Sequence, residues 1–336
     1  MRQRLLGCCA IACLLVSIVG CGNNASPTTE SGEESAASES AESSPYSYDT
    51  LEIGGREAIS VRIPGDPDYL AADDEHVYVR GARGFNALDP ETAEVLSSFE
   101  IDGQPCNGVG AAAGTVWTCS GTDVVGVEAG SDDVQARLPV TKASEQGHLV
   151  IGFGRVWVLL GDGGSLLGID TDSNEPGEAI VLPVRGTDLA ISADRIWVVS
   201  SLENAVVEVD PSSGAVGRRI DGLTGARAAV AVPGALWVGG ASASYRIDVA
   251  TGAVTATVNG GVGYVGAISA DDSSVWVRKG GVTLQHLDAA TGALLEEISE
   301  PISDDVAGGG GDALVAFGAL WVTFFDDATL IRIPLG

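Results

Sequence analysis

Short apolar runs separated by polar turns occupy most of the chain. Between residues 189 and 214, apolar runs at 189–192, 196–199 and 205–209 are separated by Asp, Ser and Asn, and a fourth run follows at 216–220. Runs of this length that are rich in Val and Ile and end at Asp, Ser, Pro or Gly are typical of antiparallel strands, because a helix needs a longer segment with a 3.6-residue period. The pattern predicts a unit of four short strands.

The same unit recurs along the chain, each time with an aromatic residue inside one apolar run. These aromatics are 39 to 45 residues apart and include all six tryptophans: Tyr78, Trp117, Trp157, Trp197, Trp237, Trp276 and Trp321. A period near 40 with four short strands per unit is typical of propeller blades. The sequence therefore predicts an all-β fold, a seven-bladed β-propeller of four-stranded antiparallel blades, with the aromatics packed between neighbouring blades.

The ends of the chain predict how the ring closes. The last unit stops after its third strand, at 331–333, while an unassigned apolar strand at 58–63 precedes the first unit. We expect this N-terminal strand to take the outermost position of the last blade, which removes an open sheet edge. The propeller is accordingly assigned to residues 51–336.

The first residues have the pattern of an export signal. Arg2 and Arg4 precede an apolar stretch at 5–19, and Ile-Val-Gly-Cys at 18–21 resembles the lipobox of bacterial lipoproteins. The resemblance implies a signal peptide at 1–20, a lipid on Cys21 and attachment to the extracytoplasmic face of the cell membrane. An ordinary secretory signal is the alternative. Residues 21–50, rich in Ser and Glu, are expected to form a disordered tether.

Two cysteines remain in the predicted propeller. Cys106 and Cys119 flank one predicted hairpin of an exported chain, which favours a disulfide over two free thiols. A zinc site is not expected, since no further Cys or His lies nearby. Asp-Thr-Asp-Ser-Asn at 170–174 resembles the start of a calcium loop, but Glu175 stands where such loops carry glycine, so we favour a plain Asx turn and assign no metal site.

The charge of the chain limits its partners. Eighteen Lys and Arg residues against 46 Asp and Glu residues give a net charge of −28. Such a surface repels nucleic acid and anionic lipid headgroups, so neither is expected as a partner beyond the lipid on Cys21. We also expect a monomer.

One motif carries a family resemblance. Leu-Trp-Val at 236–238, followed by Ile-Asp-x-x-Thr-Gly at 247–252, is similar to YVTN-type and quinoprotein-like (PQQ-like) repeat propellers and, more distantly, to the virginiamycin B lyase family. The likeness covers about residues 58–336 and implies a propeller, whereas these families include enzymes, sensors and scaffolds. Quinoprotein blades usually carry a tryptophan at the end of the motif, but none follows the turns here, so no cofactor is expected.

Propeller topology sorts the polar residues by face. The loops that lead into the first strand of each blade and those that leave the second strand share one face, here called the first-strand face, where ligands of such rings usually bind. The ligand-binding candidates on this face are His148, Asp188, Arg227, Tyr264, Asp312, Arg80 and Arg278. They predict a mixed-charge mouth for an anionic or zwitterionic ligand. Alternatively, loop ends are simply where charged residues collect.

Two functions of different classes follow. The first is a lipid-anchored, non-catalytic scaffold that presents the first-strand face to an unidentified protein, glycan or small molecule. The second is an extracytoplasmic lyase or hydrolase in which His148 acts as the base, oriented by Glu145 or Asp188. Lyases of the resembled family use histidine and glutamate near the axis, but no matching pair is present here. We therefore favour the scaffold.

Overall fold

The structure is a computed structural model that describes residues 44–101, 108–131, 133–140, 149–263, 266–279, 283–299 and 310–336. Seven antiparallel sheets, six of four strands and one of five, make up this part of the chain, which contains no helix. The fold is a seven-bladed β-propeller, as the sequence predicts.

The strands follow the chain from blade to blade. The chain begins with β1 (Ser47–Ile53) and β2 (Arg56–Arg62). Blade one comprises β3 (Tyr69–Ala72), β4 (Val77–Gly81), β5 (Gly84–Leu88) and β6 (Val95–Glu100); blade two comprises β7 (Val109–Ala112), β8 (Thr115–Ser120), β9 (Asp123–Glu128) and β10 (Val134–Pro139). Blade three comprises β11 (Val150–Gly152), β12 (Arg155–Leu160), β13 (Ser165–Asp170) and β14 (Ile180–Val181); blade four comprises β15 (Asp188–Ile191), β16 (Ile196–Ser200), β17 (Ala205–Val209) and β18 (Val216–Asp221).

The remaining blades complete the ring. Blade five comprises β19 (Ala228–Val232), β20 (Ala235–Gly239), β21 (Ala243–Asp248) and β22 (Val254–Asn259); blade six comprises β23 (Ala267–Ala270), β24 (Ser274–Arg278), β25 (Leu284–Asp288) and β26 (Leu294–Ile298). Blade seven contains β27 (Ala313–Ala316), β28 (Ala319–Phe324) and β29 (Thr329–Pro334), joined by β2 and β1.

Each repeated aromatic packs against the next blade. Trp197 of blade four is fully buried in one cluster with Leu236 and Val238 of blade five. Trp237 of blade five packs in the same way against Val275 and Val277 of blade six, and the other five aromatics repeat the arrangement around the ring. Fully burying such a ring stabilises the fold by roughly 2–3 kcal/mol. The aromatics therefore hold neighbouring blades together, as expected from their period.

Tight turns join the first and second strands. The turn Phe153-Gly154 links β11 to β12 with φ of 59° and 69°, and Phe317-Gly318 links β27 to β28 with φ of 51° and 65°. Positive φ at both central residues defines the hairpin turn whose twist matches that of the flanking strands. The second position is glycine in both turns because it reaches this conformation without steric cost.

The N-terminal strand closes the ring. Strand β2 pairs with β29 from Ile59↔Arg332 to Arg62↔Thr329, which makes it the fourth strand of blade seven. The sequence predicts this strand to be the outermost one of the blade. That detail is wrong, because β1 pairs along the free side of β2 and is outermost instead. Strand β1 begins at Ser47, so residues 47–50, assigned above to the tether, belong to the sheet.

Side chains of the N-terminal strands bind to both blades that neighbour blade seven. Arg56 of β2 forms a two-pronged ion pair with Glu296 of blade six, with both N–O distances at 2.8 Å. On the other side, the Tyr48 hydroxyl accepts the Val95 amide of blade one at 3.1 Å. The closure therefore ties three blades together.

The Asp-containing turns on the face opposite the first-strand face are Asx turns. Asp170 Oδ1 accepts hydrogen bonds from the amides of Asp172 and Ser173 at 3.1 and 2.9 Å and from the Ser173 hydroxyl. The aspartates at 89, 210, 248 and 288 bind their own turns in the same manner. These hydrogen bonds lower the pKa of Asp170. The geometry supports the Asx-turn interpretation of residues 170–174 over a calcium loop.

Several predictions fall beyond the residues that the structure describes. The signal peptide, Cys21 and the tether up to residue 43 are among them. Cys106 is another, so its disulfide with the buried Cys119 of β8 stays a prediction. The described part of the chain contains no helix long and apolar enough to cross a membrane.

Candidate functional site

The axis of the ring opens into a cavity on the first-strand face. The cavity has a volume of about 560 Å³ and is lined by the starts of the first strands of blades one, four, five, six and seven. Ser201, Phe325 and Asp326, which follow second strands, form part of its rim. A second cavity of about 340 Å³ continues along the axis and shares Tyr69 and Asp312 with the first. This axial cavity thus lies on the face that the sequence predicts for ligand binding.

Three of the predicted ligand-binding residues line this axial cavity. Asp188 is the first residue of β15, Arg227 directly precedes β19, and Asp312 directly precedes β27. His148 and Tyr264 lie outside the residues that the structure describes, so their predicted roles stay predictions.

Asp188 and Asp312 connect neighbouring blades. Asp188, which is 2% exposed, accepts the Ala229 amide of blade five on Oδ2 at 3.0 Å. Asp312 accepts the Leu70 amide of blade one on Oδ2 at 3.0 Å and the amide of Ala313 on Oδ1 at 2.8 Å. The amides of inner strands have no strand partner on the axial side, and these carboxylates satisfy two of them. Both residues therefore have a structural task beside any ligand contact.

Arg278 lies inside strand β24 rather than in the loop where the sequence analysis places it. It is 0% exposed and donates from Nη1 to the Gly311 carbonyl of blade seven at 2.7 Å. Its guanidinium stacks over the Phe324 ring of the same blade, 4.8 Å from the ring centroid. Burial lowers the pKa of Arg278 to about 10, and the charges of Asp312 and Asp68 counteract that effect.

Arg80 occupies the same position of strand β4 in blade one, two residues after the repeated aromatic. It is 1% exposed and donates from Nε to the Thr118 hydroxyl of blade two at 3.1 Å, and from Nη1 to the carbonyls of Gly81 and Gly84. Burial lowers its pKa to about 10 as well. Both arginines thus point into contacts between blades, and neither lines the axial cavity.

Tyr69 is a cavity residue that the sequence analysis misses. It follows Asp68 at the start of β3, and its hydroxyl is hydrogen-bonded to Asp68. Burial raises the pKa of Tyr69, and Asp68, Asp312 and Asp188 raise it further. Asp188 belongs to blade four, so carboxylates from more than one blade disfavour the ionised form of the Tyr69 phenol. The available signal was an aromatic residue at a position where blades four, five and six carry Asp188, Ala228 and Ala267.

Hydroxyl groups, which the sequence does not predict at this site, also line the cavity. Thr187 and Ser201 adjoin one another, since the Ser201 amide donates to the Thr187 hydroxyl at 3.1 Å. Ser269 accepts the Val315 amide of blade seven at 2.9 Å. Serine and threonine are too common in turns for their positions to stand out in the sequence.

The cavity offers charged and hydroxyl groups for binding. Within the described ranges, no group of three or more His, Cys, Asp or Glu residues is arranged to hold a metal ion. Arg227 is exposed, and its guanidinium forms no ion pair within the same ranges. The arrangement can therefore orient a polar ligand through hydrogen bonds and charge.

Comparisons with known proteins show the fold and no family. No family model matches the chain, and no curated protein matches its sequence. Hydrazine synthase from Kuenenia stuttgartiensis is similar in structure, with a TM-score of 0.66, 14% identity and coverage of 81% of this chain and 96% of that one.

Two further solved structures are similar. BamB from Moraxella catarrhalis has a TM-score of 0.59 and 11% identity over 86% of this chain and 100% of that one. The computationally designed protein Ika8 has a TM-score of 0.61 and 13% identity over 81% and 98%. At such identities the likeness establishes the propeller fold, whereas the YVTN, quinoprotein and lyase likenesses rest on the sequence motif alone.

Proposed function

We propose that this protein is a bacterial surface lipoprotein, anchored through Cys21 at the extracytoplasmic face of the membrane. Its propeller acts as a non-catalytic binding scaffold through the first-strand face. The proposal combines the lipobox-like residues at 18–21 with the axial cavity of about 560 Å³ on that face.

The observation that carries the proposal is the use of the charged residues around the axis. Asp188, Asp312, Arg80 and Arg278 each bind a backbone or side-chain group of the neighbouring blade. A catalytic acid or base needs access to substrate and a matched partner, whereas these groups maintain the ring. The exposed rim, with Arg227, Phe325 and Asp326, is then available for recognition.

A propeller also suits a scaffold for a general reason. Its sheets position the loops of one face rigidly around the axis, so a ligand meets a preformed surface and little ordering free energy is lost on binding. The structural similarity to BamB and to hydrazine synthase shows the fold and does not choose among functions.

The anchor is tested by metabolic labelling of the full chain with radioactive palmitate in a bacterial host that processes lipoproteins. We expect the label to comigrate with the protein in the membrane fraction. Cys21→Ser should lose the label. A labelled Cys21→Ser protein would contradict the anchor.

The scaffold role is tested by photo-crosslinking in cells that naturally contain the protein. A photoreactive amino acid replaces Ser201 on the cavity rim or, as the matched control, Asp272 in an exposed turn of blade six on the opposite face. We expect one discrete adduct from position 201 and none from 272. Absence of an adduct at 201, or equal adducts at both positions, argues against the first-strand face as the binding surface.

A further inference from the structure

The axial cavity is more acidic than the mixed-charge mouth that the sequence predicts. Arg80 and Arg278 are predicted to be cations of this mouth, but both are buried between blades. Among the described residues that line the axial cavity, the carboxylates are Asp68, Asp188, Asp312 and Asp326, and Arg227 is the one cation. A purely anionic ligand would therefore meet several carboxylates at close range, which is repulsive.

Charges of opposite sign lie side by side on one wall of the cavity. The Arg227 amide donates to the Gly239 carbonyl at 2.9 Å, which fixes the start of β19. Two residues further on, the Ala229 amide binds the carboxylate of Asp188 at 3.0 Å. Arg227 and Asp188 thus come from adjacent blades and occupy neighbouring positions; the backbone of Arg227 and the carboxylate of Asp188 are held by hydrogen bonds, and the guanidinium of Arg227 is exposed.

The opposite wall is acidic and rich in hydrogen-bonding groups. Asp68 and Asp312 lie there with Tyr69, and the buried Arg278 beneath them compensates part of their charge. The Asp312 carboxylate is held by two backbone amides, so its position is defined without a ligand. Preformed carboxylates recognise a ligand at low entropic cost.

The volume limits the ligand to a small molecule or the end of a chain. A cavity of about 560 Å³ lies within the range of roughly 300–1,000 Å³ that is typical of small-molecule sites. Phe325, 38% exposed on the rim, adds apolar surface beside the charged groups. The site is large enough for an amino acid or a short peptide.

We propose that the axial cavity binds a zwitterion that carries both an ammonium group and a carboxylate, namely an amino acid or a short peptide. The ligand carboxylate pairs with Arg227, and the ammonium group lies among the carboxylates of Asp68, Asp188 and Asp312. This assignment names the ligand class of the cavity and rests on the proposed binding function.

The test uses the full chain and three probes that share the Ala-Ala backbone and differ in which terminus carries a charge. Binding of the dipeptide Ala-Ala is compared by titration calorimetry with that of N-acetyl-Ala-Ala, which is an anion, and of Ala-Ala amide, which is a cation. We expect Ala-Ala to bind at least about tenfold more tightly than either blocked form, because each loses one charge-assisted contact. Equal affinity for Ala-Ala and the amide would show a cation site and overturn the proposal.

A variant pair tests the role of Arg227. Arg227→Gln should weaken Ala-Ala binding to the level of the amide and leave amide binding unchanged. Arg83→Gln is the matched control, since Arg83 is exposed on the same face but lines a separate groove of about 220 Å³. It should bind all three probes like the wild type. Equal weakening by both variants would contradict a specific contact.

Failure of this proposal is distinguishable from failure of the scaffold function. If none of the three probes binds while the photo-crosslink at position 201 persists, the ligand class is wrong and the binding surface stands. If both the probes and the crosslink fail, the binding function of this face falls with the ligand assignment.

Discussion

Two halves of the ring share one repeat but differ at one buried position. Two residues after the repeated aromatic, blades three, four and five carry Leu159, Val199 and Gly239, while blades one, six and seven carry Arg80, Arg278 and Thr323. All of these residues are buried. We call the former blades the apolar half and the latter the polar half; blade two, which carries Cys119 at this position, lies between them and belongs to neither.

The difference shows that the repeat determines the position of a side chain and leaves its chemistry open. In the apolar half the position requires packing alone, and many residues of suitable volume satisfy it. In the polar half each buried group needs a partner: Arg278 binds Gly311, and the Thr323 hydroxyl donates to the Asp68 carbonyl at 2.6 Å. The polar half lies beneath Asp68, Tyr69 and Asp312 and includes the closure of the ring.

The most severe way to break the polar half is to remove its closure. Deletion of residues 51–64 eliminates β2, with the fully buried Ala58 and Val61, and exposes the edge of β29. We expect the melting temperature to fall by more than about 10 °C, since several buried side chains of roughly 1–2 kcal/mol each are lost. Scanning calorimetry measures the effect.

Deletion of residues 44–50 is the control for the closure. It removes most of β1, whose residues from Ser47 to Thr50 are exposed. It should lower the melting temperature by a few degrees at most. An unchanged melt after deletion of 51–64 would show that β2 does not close the ring.

Replacing the buried arginine should have the next largest effect. Arg278→Met removes the donor to Gly311 and the positive charge near Asp312 and Asp68. Breaking a buried charge contact in this way costs about 3–5 kcal/mol of unfolding free energy. The matched change in the apolar half, Leu159→Met, should cost less than about 1.5 kcal/mol. Equal losses in urea denaturation would show that the two halves do not differ in energy.

Neutralising Asp312 should have a smaller effect. Asp312→Asn retains an oxygen that can accept the Leu70 amide but removes a negative charge that stabilises protonated Arg278. We expect a loss of about 1–2 kcal/mol in the free energy of unfolding. Asp326→Asn, at the exposed rim, should change it by less than about 0.5 kcal/mol. A larger effect at position 326 would contradict the coupling between Asp312 and Arg278.

The last effect concerns Tyr69, is absent at neutral pH and appears only at alkaline pH. The folded-state pKa of Tyr69 is raised above its ordinary value of 10.0 by burial and nearby carboxylates. The stability that its neutral phenol contributes is therefore complete below pH 10 and is lost as the pH rises toward the folded-state pKa. Tyr69→Phe should lose less unfolding free energy than the wild type between pH 10 and 12. A steeper loss of unfolding free energy in Tyr69→Phe than in the wild type would contradict a raised pKa of Tyr69 in the folded state.

The site was predictable in part. The starts of the first strands follow from the repeat, so Asp188, Arg227 and Asp312 were placed at the axial mouth from the sequence. Arg80 and Arg278 were assigned to exposed loops because a charged side chain near a strand end usually reaches water. Both lie within the strands instead, since a carbonyl, a hydroxyl and an aromatic ring of the next blade receive them. Such partners are remote in sequence and follow no local pattern.

The N-terminal boundary shows the same limit. Ser47 to Thr50 have an exposed, polar pattern that no local rule distinguishes from a tether. They form a strand because β2 offers a free edge and blade one offers Asn86, Ser98 and the Val95 amide to Tyr46 and Tyr48.

The sequence by itself determined the all-β class, the number of blades and the packing role of the aromatics, because the period and the alternation of apolar and polar residues are local properties. Only the tertiary structure decided which charged residues are buried and which face the axis. Those outcomes depend on contacts between blades, where distant residues supply the hydrogen bonds and counter-charges that make burial of a charge tolerable.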